Sequence, residues 1–228
     1  MKKKSTIALA MAICSGVAHA GEIYDGYDAF FNVQPGQVFS SAVSKNYLPA
    51  RYAANGDATA SWQGRAGKMR VRVEVTSRYI QIDRLRYAFA DAVRLPGDDG
   101  VEVDPRSVTL YLASGADAAS PDVCIESTFN GSGTADRYSE VYAIASRSRA
   151  GARLFKLPSL FGSCRSLVRQ QGALQFPIFS YRRVANIDDP LGNDVQYFAI
   201  HGGKYVRTER HFSTRFAEPS NVFRFTVE

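Results

Sequence analysis

Histidine and cysteine are scarce, three of each in 228 residues, and the motifs that make them reactive are missing. There is no Cys-x-x-Cys, no His-Glu-x-x-His, no glycine-rich phosphate loop and no dinucleotide fingerprint. Zinc peptidases, dithiol oxidoreductases and nucleotide-binding folds therefore have no anchor in this chain, and no cofactor is implied. Long apolar runs are lacking too. After residue 20 no window approaches the roughly 20 apolar residues that a membrane helix needs, so the sequence does not describe an integral membrane protein. No internal repeat aligns. What remains, 45% hydrophobic and 12% aromatic residues, is the composition of an ordinary folded protein.

The first 20 residues stand apart. Lys2, Lys3 and Lys4 form a basic start, Ile7 to Val17 a short apolar core, and Ala18-His19-Ala20 a small-residue exit. This is the pattern of a cleavable secretory signal over residues 1–20, which predicts export to a periplasm or beyond and a mature chain of residues 21–228. That chain is expected to be a single β-rich domain. Its net charge is +3, unevenly spread: net −4 from Gly21 to Asp136 and net +7 from Arg137 to Glu228. A basic C-terminal half points to an anionic partner, or to two charge populations that face each other across one fold.

Loss of Cys14 with the signal leaves Cys124 and Cys164. An even pair in an exported chain predicts a disulfide.

Hydrophobic periodicity is mostly two. Met69, Val71, Val73 and Val75 alternate with Arg70, Arg72, Glu74 and Thr76, a strand with one buried face. From Tyr79 to Phe89 the alternation changes phase near Asp83-Arg84, which predicts a bulge. Further strands are expected over Val108 to Ala113, Val123 to Phe129, Arg153 to Leu157, Leu174 to Val184, Val195 to His201, Lys204 to Phe212 and Val222 to Val227. Leu160, Phe161, Cys164, Leu167 and Val168 have helical spacing, with Ser159 as N-cap and Gly172 beyond the end. Asp136 to Ala150 is also read as a helix, and Ser114 to Pro121 is the most linker-like stretch. Many short strands, few helices and turn-rich joints predict a mainly β fold, an antiparallel sandwich or barrel-like domain with one or two short helices and one disulfide.

Gly202-Gly203 between two strands predicts a tight hairpin pairing His201 with Lys204, Ile200 with Tyr205, Phe198 with Arg207 and Asp194 with His211. The last pair is the one acid and imidazole couple the sequence offers a hydrolase, and no nucleophile motif accompanies it. Carboxylates gather at Asp98, Asp99, Glu102 and Asp104, where oxygen-rich loops can hold calcium, although the spacing matches no ordered calcium loop. The most suggestive set is basic and aromatic: Arg182, Arg183, Tyr205, Arg207, Arg210, Arg215 and Arg224, among phenylalanines and tyrosines. Guanidinium forks and ring faces suit an anionic glycan, a lipid headgroup or an acidic protein surface, and export argues against nucleic acid. The sequence therefore predicts a non-catalytic, exported binding protein that recognises an anionic ligand through its C-terminal half. The alternatives are a secreted hydrolase using Asp194 and His211 or the loop carboxylates, and a small outer-membrane β-barrel.

Overall fold

The computed structural model describes residues 21–98, 103–113, 121–128, 133–145, 152–183, 185 and 189–228. The expected signal segment, most of the Ser114 to Pro121 linker, Asp99 and Glu102 lie outside the described residues. The fold is mainly β, built from antiparallel sheets with a few short helices and the Cys124–Cys164 disulfide.

Strand β1 (Ile23–Asp25) and the six-residue helix α1 (Tyr27–Asn32) come first. A five-stranded meander follows: β2 (Ala50–Tyr52), β3 (Ala58–Ala66), β4 (Met69–Val75), β5 (Tyr79–Ile82) and β6 (Leu85–Ala88). In β4 the alternation is observed as expected, with Val71, Val73 and Val75 buried and Arg70 and Arg72 exposed. The phase change at Asp83-Arg84 is not a bulge. It is a tight turn that pairs Ile82 with Leu85, and Asp83 takes a positive φ of 52°. Reversing the chain changes the phase just as an inserted residue does, and Asp tolerates the left-handed conformation better than most side chains.

The second sheet has the order β10 (Arg153–Leu157), β9 (Ser139–Ala145), β8 (Asp122–Thr128), β7 (Val108–Ala113). Both of its faces are buried. Val108, Leu110, Val123, Ile125, Tyr142, Ile144 and Leu154 pack on β3 to β5, while Tyr111, Cys124, Val141, Ala143 and Leu157 face the third sheet. Two-sided burial removes the alternation that marks a strand, and this is why the sequence around β9 has helical spacing. The expected helix over Asp136 to Ala150 is instead a short 3-10 turn, Gly133–Arg137, followed by strand β9.

The third sheet joins the two chain ends: β1, β15 (Asn221–Val227), β14 (Lys204–Glu218), β13 (Gly192–His201), β12 (Ala173–Arg182), β11 (Val168–Gln170), in that order. Its long strands are buried on opposite faces at their two ends. Near the Gly202-Gly203 turn, Leu174, Phe176, Phe198, Ile200 and Tyr205 pack on the middle sheet. Farther along, Phe179, Val195, Tyr197, Phe212 and Phe216 point the other way and pack on α1. At the start of β13, Gly192 lets β14 approach closely, because a Cβ there would sit 1.8 Å from the carbonyl oxygen of Thr214.

Edges are covered. The segment Gly36 to Leu48 hydrogen-bonds first to the β11 side, with Arg169 N donating to Gly36 O (2.7 Å) and Val38 N to Leu167 O (2.9 Å). It then bonds to β7, with Val43 N to Leu110 O and Leu48 N to Val108 O, both 2.8 Å. It straps two sheets together and occupies edge groups that would otherwise template aggregation.

The helix expected from Leu160 to Val168 is also absent. Leu160 bridges Tyr138, Phe161 takes a φ of 51°, a 3-10 turn spans Cys164–Ser166, and Val168 already belongs to β11. The apolar side chains serve two cores: Phe161 and Val168 join the cluster around α1, Cys164 and Leu167 the cluster around the disulfide. Two targets on opposite sides mimic the spacing of one helical face.

Candidate binding cleft

The helix α1 was not anticipated, although Tyr27, Phe30 and Phe31 carry the i, i+3, i+4 signal of a buried helical face. All three rings are buried. Tyr27 stacks on Phe161 at a centroid distance of 4.0 Å and meets Phe179 and Phe223 edge-on at 5.2 and 6.2 Å. Its hydroxyl accepts from Asn193 Nδ2 at 2.7 Å and donates to Val222 O at 3.2 Å, and burial pushes its ionisation far above the ordinary tyrosine value.

A cleft of about 250 Å³ opens at the end of this cluster. Its walls are Tyr27, Phe31, Phe161 and Phe223, and its rim carries Asp28 and Asp136. Phe223 stays 38% exposed at the mouth. A bulky residue at positive φ costs about 1–3 kcal/mol, so the Phe161 ring is held in the wall against a backbone penalty. Gly162 beside it admits no side chain, since a Cβ would lie 2.4 Å from Pro158 O.

A half-buried carboxylate supports the turn behind the cleft. Glu126 Oε1 accepts from Ser163 Oγ at 2.8 Å and from the Cys164 backbone N–H, while Tyr111 OH donates to Oε2 at 3.2 Å. Burial raises the Glu126 pKa from its ordinary value, and the three hydrogen bonds oppose that shift only in part. The folded state therefore holds this proton more tightly than the unfolded chain does. The corresponding stability is fully present below the ordinary carboxylate pKa and is lost as pH rises through the raised one. Glu126→Gln keeps an acceptor for Ser163 and Cys164 without the charge. The melting temperature of the variant is expected to gain on the wild type as pH increases from 4 to 8, and a gap that does not change with pH would contradict this origin of the shift.

Most of the residues expected to bind an anion have partners within the fold. Arg182 and Arg215 share Glu228, at 2.7 and 3.9 Å, and Arg224 lies between Asp25 (3.2 Å) and Glu218 (3.4 Å). Arg210 stacks on the Tyr197 ring at 3.9 Å and bonds to Gln34, and Arg183 lies 5.9 Å from the Tyr181 ring centre. Arg207 donates to Gln196 Oε1 at 2.9 Å. Tyr205 is a structural tie, its hydroxyl shared between Val93 O and Lys156 O at 2.7 Å each. Acidic residues of the other half face four basic groups of this one: Asp25 meets Arg224, Asp28 meets Arg165, Asp122 meets Arg169 and Asp98 meets Lys156.

Asp194 and His211 are not paired. The hairpin keeps the expected register from His201/Lys204 to Phe198/Arg207, then shifts, so that Gln196 faces His211 and Asp194 faces Ser213. Thr208, Glu209 and Arg210 bulge opposite Tyr197, and Gln196 Nε2 satisfies the freed carbonyls of Thr208 (2.8 Å) and Arg210 (3.1 Å). Asp194 Oδ1 accepts from Ser213 Oγ at 2.8 Å, and His211 Nδ1 lies 2.9 Å from the Glu209 carbonyl. A sequence cannot announce a bulge whose carbonyls are capped by one glutamine on the neighbouring strand.

The acidic loop is divided as well. Asp98 reaches the buried Lys156, while Asp104 caps the 3-10 turn Pro105–Ser107 and pairs with Arg106 at 2.8 Å, which holds its carboxyl below the ordinary value. Among the described residues no three His, Cys, Asp or Glu side chains are grouped to hold a metal ion. No helix among them is long and apolar enough to cross a membrane. Comparison with protein-family models, with curated proteins and with solved structures finds no match for this chain.

Proposed function

We propose that this is an exported, non-catalytic binding protein whose ligand sits in the aromatic cleft between α1, the Phe161 turn and the start of β15. The observation that carries the reading is the cleft itself: four aromatic walls, a carboxylate rim, and a wall residue kept at positive φ. Backbone strain concentrates where a surface must present a side chain in a fixed place, and ligand seats are concave, mostly apolar and furnished with a few polar groups. Support for the arginine-rich face as the seat is weaker, because a ligand there must displace Glu228, Asp25 and Glu218 from their cations. The strand orders are those of three open sheets, whereas an outer-membrane barrel closes one sheet on itself.

Phe223→Ala tests the reading, since this ring is half-exposed and its removal leaves the buried stack in place. In a thermal-shift screen of amines, sugars and aromatic acids, a ligand at 100 times its dissociation constant stabilises by about 2.7 kcal/mol. The shift is expected to shrink clearly in Phe223→Ala. Shifts that are equal in both proteins, or that vanish only when Arg207 and Arg215 are replaced, would move the site to the arginine face.

A further inference from the structure

We infer that the ligand of this cleft is a small organic cation bearing an apolar or aromatic group; the inference rests on reading the cleft as a ligand seat. The charged residues among its lining are Asp28 and Asp136, with no lysine or arginine between them. Arg165 engages only one Asp28 oxygen, Oδ2, at 3.0 Å. Arg137 is directed to the Tyr181 hydroxyl at 3.1 Å. Asp136 is exposed and makes no hydrogen bond or ion pair among the described residues.

The chemistry of such a wall is selective by sign. Ring faces carry the negative side of an aromatic quadrupole, so the face of the exposed Phe223 ring favours a cation over an anion, while Tyr27 and Phe161, stacked on each other, supply apolar wall. The rim carboxylate adds a charge-assisted hydrogen bond to an ammonium N–H. The apolar remainder of the ligand gains by covering the exposed Phe223 ring. A volume of about 250 Å³ admits a group the size of one ring. The cleft thus complements a cation, although the C-terminal half that supplies Phe161 and Phe223 carries the basic excess. Of the basic groups of that half beside the rim, Arg165 is paired with Asp28 and Arg137 is held at the Tyr181 hydroxyl.

Calorimetric titration of the protein with 2-phenylethylamine, 2-phenylethanol and phenylacetate at neutral pH separates the possibilities, because the three share a ring and differ in charge. The amine is expected to bind about threefold to fivefold tighter than the alcohol, with phenylacetate weakest. Asp136→Asn is expected to remove most of that advantage while leaving the alcohol unchanged, which a general loss of structure would not do. An alcohol that binds as tightly as the amine, or an amine indifferent to Asp136→Asn, overturns the cation assignment and leaves the cleft as the seat. Binding of all three that is untouched by Phe223→Ala overturns the seat as well. No binding by any of them overturns the cation assignment, and the seat then stands or falls on the wider screen.

Discussion

Replacing Lys156 by methionine is expected to destabilise the protein by about 3–5 kcal/mol, the range for breaking a buried ion pair from one side. Lys156 lies in β10 with 1% of its side chain exposed, bonded to Asp98 and 3.1 Å from Glu140 Oε2, which is itself 2% exposed. It occupies the face of the middle sheet that packs on the meander, opposite Tyr142 in the register. Methionine fills similar space, so the loss comes from Glu140, whose charge is left in the core with Ser159 Oγ at 3.1 Å as its remaining donor. Asp98, 19% exposed, can turn to water. Lys156→Met combined with Glu140→Gln removes both charges and is expected to recover more than half of the loss. Urea unfolding of the two single variants and the double variant gives the coupling directly. A single variant within about 1 kcal/mol of wild type would mean that the pair is solvated in solution.

Removing the disulfide as Cys124→Ala with Cys164→Ala should lower the melting temperature by about 5–15 °C. Closing a loop of this length restricts the unfolded chain by roughly 4 kcal/mol, a ceiling in the entropy model. Each kcal/mol moves the transition of a chain this size by about 2–4 °C. Both cysteines are fully buried, 40 residues apart, in the core between the middle and third sheets. Cys164 also presents its backbone N–H to Glu126, so the bond fixes the turn that carries Gly162 and Ser163 into the cleft wall. The double variant is therefore expected to lose ligand affinity along with stability, as scanning calorimetry with and without 2-phenylethylamine would read. An unchanged melting temperature would place the stabilisation elsewhere.

The sheets were legible where one face is wet. Val71, Val73 and Val75 against Arg70 and Arg72 leave no doubt of a strand, and Gly202-Gly203 marks its hairpin to the residue. Legibility failed where the surroundings on both sides are apolar. β9 has the spacing of a helix because Val141 and Tyr142 are both buried, on opposite faces, and the Phe161 turn has it because its side chains enter two cores. The disulfide followed from parity and compartment. The cleft was hidden because its parts are distant in sequence: Tyr27 and Asp28 near the start, Asp136 and Phe161 in the middle, Phe223 at the end. Only topology, with β1 pairing beside β15, brings them to one place. The arginines were conspicuous in the sequence for the opposite reason. Local abundance shows in a string of residues, whereas partners such as Asp25 for Arg224 and Glu228 for Arg182 are far away in it.

Backbone-amide chemical-shift mapping during titration with 2-phenylethylamine tests the central claim most directly. The predicted result is a set of saturating shifts confined to Gly26 to Asp28, Asp136, Phe161 to Ser163 and Phe223, absent in Phe223→Ala. Shifts concentrated instead on Arg207 to Arg215 along β14, with the cleft silent, would contradict it.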